Sequence, residues 1–96
     1  MKIKMNATEP ELMRYQVIGG PNDGEFVEFE SGRLFSQIVL TDEDGFNHTY
    51  KRRVAWVDPG NGCLTWRVYY VLTSISQEEW ERRAQEIEDA SRKAVS

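Results

Sequence analysis

Disulfides, a histidine-based metal centre and a membrane helix all lie beyond what this sequence supplies. It carries one cysteine, Cys63, and one histidine, His48, among 96 residues. A lone cysteine closes no internal bridge, which fits a reducing compartment and predicts a cytoplasmic protein. One histidine and one cysteine cannot complete a tetrahedral zinc site without carboxylates or a second chain, so no metal and no cofactor are expected. No apolar run approaches the roughly 18 residues of a membrane span. The start, Met1-Lys-Ile-Lys-Met-Asn6, is too short and polar to read as a secretory signal. Positive charge is also scarce. Twelve Lys and Arg face sixteen Asp and Glu, a net charge of −4. The molecule as a whole therefore repels nucleic acid and anionic lipid, and only a local patch could reverse that.

Catalytic spacings are missing too. The glycine-rich stretch at 19–24 clusters backbone N–H groups, yet it lacks the Gly-x-x-x-x-Gly-Lys-Ser/Thr pattern, and no helix follows to add its dipole. Pro21 presets a turn φ, and Asn22, Asp23 and Gly24 tolerate positive φ, so a structural hairpin loop is the favoured reading. Asp42-Glu-Asp-Gly45 is another turn, without the twelve-residue ligand pattern of a calcium loop. His48 and Cys63 could in principle form a base–nucleophile pair, but neither sits on a strained elbow or a helix N-terminus. No catalytic residue is assigned, and a non-enzymatic protein is expected.

What remains is the makeup of a small single domain. Hydrophobic residues are 40% of the chain, with three Trp, four Tyr and four Phe, enough for one core without staples. All seven glycines fall where turns are needed, at 19, 20, 24, 32, 45, 60 and 62. Between them lie β-branched and aromatic segments of strand length, about 14–18, 25–30, 33–40, 46–57 and 63–72. In the last, Leu64, Trp66, Val68, Tyr70 and Leu72 share a face, opposite Thr65, Arg67 and Tyr69. Lys51-Arg-Arg53 interrupts the fourth and suggests a bulge. The third is apolar on both faces, with Phe35 and Val39 opposite Leu34, Ile38 and Leu40, so it is either central or exposed to a partner. Short connections predict a five-stranded antiparallel meander curled into a small, partly open barrel, a mainly β (α+β) fold.

A helix follows. Ser76 and Glu79 form a capping box ahead of Trp80. Pairs of acid and base at i, i+4 then recur: Glu78–Arg82, Glu79–Arg83, Glu88–Arg92 and Asp89–Lys93. Its apolar stripe, Trp80, Ala84, Ile87, Ser91 and Ala94, is as narrow as a coiled-coil seam. It either packs on the sheet or meets another chain. The organisation is thus an arm (1–13, either a short helical turn or a disordered arm), a β domain (14–75) and a charged helix (76–96).

Tyr15-x-x-x-Gly19-Gly-Pro-x-Asp-Gly24-x-x-Val27, together with His48-x-Tyr50-x-Arg52 and the Tyr69-Tyr70 strand, resembles short phage, prophage and actinobacterial proteins built on a Gly-Gly-Pro-x-Asp-Gly hairpin. The resemblance spans roughly residues 15–70 and brings no activity with it. It implies a compact β domain of viral origin in which Gly19, Gly20, Asp23 and Gly24 shape a loop, the charged helix being an addition.

Three functions follow as expectations. The first is a phage-type accessory module that binds protein or itself through Phe35, Val39, Trp80, Ala84 and Ile87. The second is sequestration of a nucleotide-like anion, to counter host defence, by Tyr50, Lys51, Arg52 and the amides of Gly19, Gly20, Asn22, Asp23 and Gly24. The third is single-strand nucleic-acid binding on the basic-aromatic patch of Tyr50, Lys51, Arg52, Arg53 and Trp56 with Arg67. The net charge and the acidic Glu25, Glu28 and Glu30 weigh against the last.

Overall fold

The computed structural model describes residues 11–30 and 32–95. Its strands are β1 (Leu12–Ile18), β2 (Phe26–Glu30), β3 (Gln37–Thr41), β4 (Asn47–Val57) and β5 (Thr65–Leu72), followed by α1 (Gln77–Val95). A single 3-10 turn, Gly20–Asn22, joins β1 to β2. The class is the expected one, a mainly β, α+β half-barrel with a C-terminal helix.

The meander needs correction at one join. The strand order is β2-β1-β5-β4-β3, and β1 runs parallel to β5 with Val17 opposite Tyr70. β2 and β3, expected to pair, lie at opposite edges. The cause is burial. β1 carries Val17 and Ile18, adjacent residues at 0% and 1% exposure, and β5 buries Tyr69, Tyr70 and Val71 in sequence. Adjacent buried residues point to opposite faces, so both strands need cover on both sides and take the middle of the sheet.

Each face has its own core. On one, α1 lays Trp80 and Ala84 over Ile18, Ala55, Val57, Tyr69 and Val71, with Ile75 and Ile87 alongside. Burying an indole contributes on the order of 4–6 kcal/mol of gross transfer free energy, enough to hold the helix down. On the other, Val17, Tyr50 and Tyr70 pack with Tyr15, Val27, Phe29, Ile38, Leu40 and Leu72. The edges curl toward each other across this second core. Phe29 of β2 meets Phe35, just ahead of β3, with ring centroids 5.2 Å apart, and the Tyr70 hydroxyl donates to the Phe35 carbonyl.

Several local expectations shift. Leu12 and Met13, assigned to the arm, open β1. Residues 1–10, including the possible cap at Thr8, lie outside the described residues. No bulge interrupts β4, whose register with β5 is continuous from Tyr50↔Leu72 to Val57↔Thr65. The helix cap forms, with the Glu79 N–H donating to Ser76 Oγ at 3.2 Å. The helix arginines choose other partners than those foreseen: Arg82 and Arg83 approach Glu86, Arg83 also reaches Asp23, and Arg92 reaches Asp89.

The β3–β4 turn is organised by Asp42. Its carboxylate accepts from the Asp44 and Phe46 N–H groups, and His48 Nε2 lies 2.8 Å from its other oxygen. The His48 bond first, and then the Phe46 N–H, hold the Asp42 carboxyl below its usual value of 3.8. A lowered folded-state pKa stabilises fully above the ordinary value and is lost as pH falls through the lowered one. Urea midpoints of the native chain and Asp42→Asn, taken stepwise through that range, should therefore differ at neutral pH and converge in acid. Parallel curves would rule the assignment out.

Candidate interaction surface

The residues singled out for anion binding are brought together only in part: Tyr50 meets the 19–24 loop, while Lys51 and Arg52 lie on opposite faces of β4. Tyr50 is fully buried, and its hydroxyl donates to the Gly19 carbonyl at 2.9 Å and lies 3.3 Å from Asn22 Oδ1. Burial raises its pKa and keeps the proton on this brace. The loop amides serve the loop. The Gly19 N–H donates to Asp23 Oδ1, Asp23 N–H to Gly20, Gly24 N–H to Val17 and Glu25 N–H to Asn22. Asp23 also holds Arg83 at 3.1 Å. This is a hairpin loop pinned to the strand and helix beside it.

Alternation along β4 divides the basic residues. Lys51 and Arg53 share the helix side with Ala55, while Arg52 lies with Tyr50 on the other and reaches the Leu34 carbonyl at 3.4 Å. Arg67 is on the helix side, tied to Glu88 at 3.3 Å. The expected stacking patch is thus split between two faces. His48 and Cys63 lie toward opposite ends of β4, about 30 Å apart along the strand. Among the described residues, no three His, Cys, Asp or Glu are grouped to hold a metal ion.

Of the residues proposed for an interface, Phe35 and Val39 are exposed. Trp80 and Ala84 are buried against the chain's own sheet, with Ile87 at the margin. The narrow stripe of α1 is therefore used internally as far as Ile87, while Ser91 and Ala94 are exposed.

A further exposed apolar feature lies on the β4–β5 ribbon. β3 pairs with β4 only as far as Lys51, plus one bond from Arg52 N–H to Ser36. β1 joins β5 only from Gln16↔Tyr69 onward. Beyond those points β4 and β5 continue as a two-stranded ribbon. Ala55 and Val57 on its inner side are sealed by α1. Its outer side carries Val54, Trp56, Leu64 and Trp66, with Trp56 62% and Trp66 57% exposed. Trp56 sits directly opposite Trp66. Thr49 bonds Thr73, so the odd residues of β4 form the hydrogen-bonded pairs with β5. Trp56 and Trp66 thus occupy a closely spaced, non-hydrogen-bonded position. The sequence pattern put Trp66 and Leu64 on one face with Val68, Tyr70 and Leu72. Their alternation was right, but among the described residues no third strand covers them.

The same alternation turns the main-chain groups of Val54 and Trp56 away from β5, toward an open edge. Ser36 closes that edge at Arg52. Gln85 closes it at Asp58, accepting from its N–H at 2.9 Å and donating to its carbonyl at 3.0 Å. Between these stops, Val54 and Trp56 have no partner on that edge among the described residues. A groove of about 550 Å³ runs beside it on the helix side, lined by Arg53, Ile75, Gln77, Trp80 and Glu81 among others.

Comparison with protein-family models, curated proteins and solved structures finds no match to this chain.

Proposed function

We propose that this protein is a non-enzymatic protein-binding module that captures an extended segment of a partner along the open stretch of β4. One observation carries the reading: an unpaired strand edge at Val54 and Trp56 coincides with the exposed Trp56–Trp66 pair. Strand addition draws its affinity from main-chain hydrogen bonds and its specificity from alternate side chains. Here those side chains would enter the groove beside Trp80 on one side and lie on Trp56 on the other. Exposed tryptophans flanked by arginine are also the composition of interface hot spots.

A second copy's β4 fits this edge poorly. The register that pairs Val54 with the Trp56 of another copy puts that copy's Val57 beside Ser36, in the line β3 already occupies. A segment of about five residues from another protein suits the gap. The hairpin's resemblance to phage proteins supports reading such a module as an accessory protein of that kind.

The test is a capture comparison by mass spectrometry. The Trp56→Ser/Trp66→Ser double variant removes exposed side chains and should keep the fold. Loss of two hot-spot residues should lower partner retention at least about thirtyfold. Val54→Pro removes an N–H that serves no bond within the sheet, and should abolish capture while leaving both tryptophans in place. Equal retention by all three proteins, or none by any, would overturn the reading.

A further inference from the structure

The open stretch of β4 is bounded at both ends, and its boundaries restrict what can lie along it. Ser36 occupies the neighbouring line at Arg52, and Gln85 occupies it at Asp58. A partner chain running through must turn out of the sheet at both ends. A chain that ends inside the gap turns out at only one.

The distribution of charge decides which terminus stops where. Arg14, Arg33, Arg67, Arg82, Arg83 and Arg92 each lie within 4.0 Å of a carboxylate. Lys51, Arg52 and Arg53 approach none among the described residues, and Arg52 spends one nitrogen on the Leu34 carbonyl. These consecutive cations stand at the β3 end of the gap. Lys51 and Arg53 are exposed on the helix side, and Arg52 is half-buried on the other. The groove wall holds one carboxylate, Glu81, which accepts from Gln77. Three cations against it leave a positive excess. At the Asp58 end, the Arg92 guanidinium is already held by Asp89 and the Asp58 carbonyl. Cations split between two faces cannot line one stacking surface, yet they bracket a group lying in the plane of the sheet. A chain end entering along the strand line lies there. An antiparallel segment brings its C-terminus to Arg53, whereas a parallel one brings an amino terminus that the same cations repel.

We propose that the segment captured by β4 is the C-terminus of its partner protein, bound antiparallel, its terminal carboxylate flanked by Lys51 and Arg53 on one face and Arg52 on the other. This rests on the β4-edge reading and adds its polarity. The last residue lies opposite Arg53. The second from the end exchanges main-chain bonds with Val54, and the fourth with Trp56. The third lies opposite Ala55, its side chain entering the groove beside Ile75 and Trp80, while the fourth rests on the Trp56 indole. Apolar residues suit both positions.

The test uses a pool of N-acetylated hexapeptides, Gly-Ser followed by four positions drawn from Val, Leu, Phe and Thr. It is passed over the immobilised full chain at low salt, and retained peptides are measured by mass spectrometry. One version has a free carboxylate, one a C-terminal amide, and one an internal Asp followed by Gly-Gly-amide. The free carboxylate pool should be retained at least about tenfold better than either amide, and added salt should shrink the difference. Lys51→Gln/Arg53→Gln alters exposed side chains that bond nothing within the described chain, so its urea midpoint should hold while the preference falls to about twofold or less. Val54→Pro should abolish retention of every pool. Equal retention of acid and amide, retention of none, better retention of the Asp pool, or a preference that survives the glutamine variant would each overturn the terminus assignment and leave strand capture standing. A carboxylate preference that survives Val54→Pro would overturn both, since the cations would then act without the edge.

Discussion

Tyr70→Ala should lose about 3–5 kcal/mol of folding stability, the range for truncating a large buried aromatic. Tyr70 is fully buried on the central strand of the sheet. Its ring meets Tyr15 edge-on at 5.9 Å and Phe29 at 5.5 Å, so it joins β5 to β1 and β2. Its hydroxyl reaches the Phe35 carbonyl and ties down the segment that crosses the mouth of the half-barrel. Alanine opens a cavity beneath three elements and frees that carbonyl at once. Domains of this size have roughly 5–15 kcal/mol to lose, so a large part of the transition would move. Urea denaturation by far-UV circular dichroism gives the value. Trp66→Ala, exposed on the ribbon of the same strand, should stay within about 0.5 kcal/mol of the native chain. A small loss at Tyr70, or losses of equal size at both positions, would mean that the second core is not where stability resides.

Gly19→Ala should cost about 2–4 kcal/mol, against about 1–2 for Gly24→Ala. Gly19 has φ 96° and ψ 151°, a conformation that residues with a Cβ essentially do not adopt. A Cβ there would also stand 3.0 Å from Leu72 Cβ and 3.1 Å from Ile75 Cδ1. Leu72 is braced by the second core, so the neighbour cannot withdraw cheaply. Gly24 also has a positive φ, 89°, but faces open space, so only the backbone term applies. The difference between the two midpoints isolates the close approach of the loop to β5. Equal costs would show that the loop packs loosely, and the bracing role of Tyr50 would fall with it.

The parts of the molecule legible in the sequence are those decided within a few residues. Glycines at the turns, alternation between them, and Ser76 ahead of Glu79 each concern neighbours along the chain. They located the strands and the helix start to within a few residues. Parity within the last strand also put Leu64 and Trp66 on one side. It could not say whether that side is covered, because cover depends on how far β1 and β3 extend beside the ribbon. The run Val68-Tyr-Tyr-Val-Leu72 is apolar on both faces and marked β5 as central. Counting Tyr69 with the polar residues hides that signal.

By itself, then, the order of residues determined the elements, their faces and a helix able to seal one side, since propensity, alternation and capping act over one to four positions. Only the tertiary structure decided which strands are central and which tryptophans stay in solvent. Those outcomes rest on contacts such as Tyr70 to Phe35 and Tyr50 to Gly19, 35 and 31 residues apart. Each such contact competes with every other way of covering the same apolar surface. The winner is set by burial summed over the whole sheet, a quantity that no local window contains.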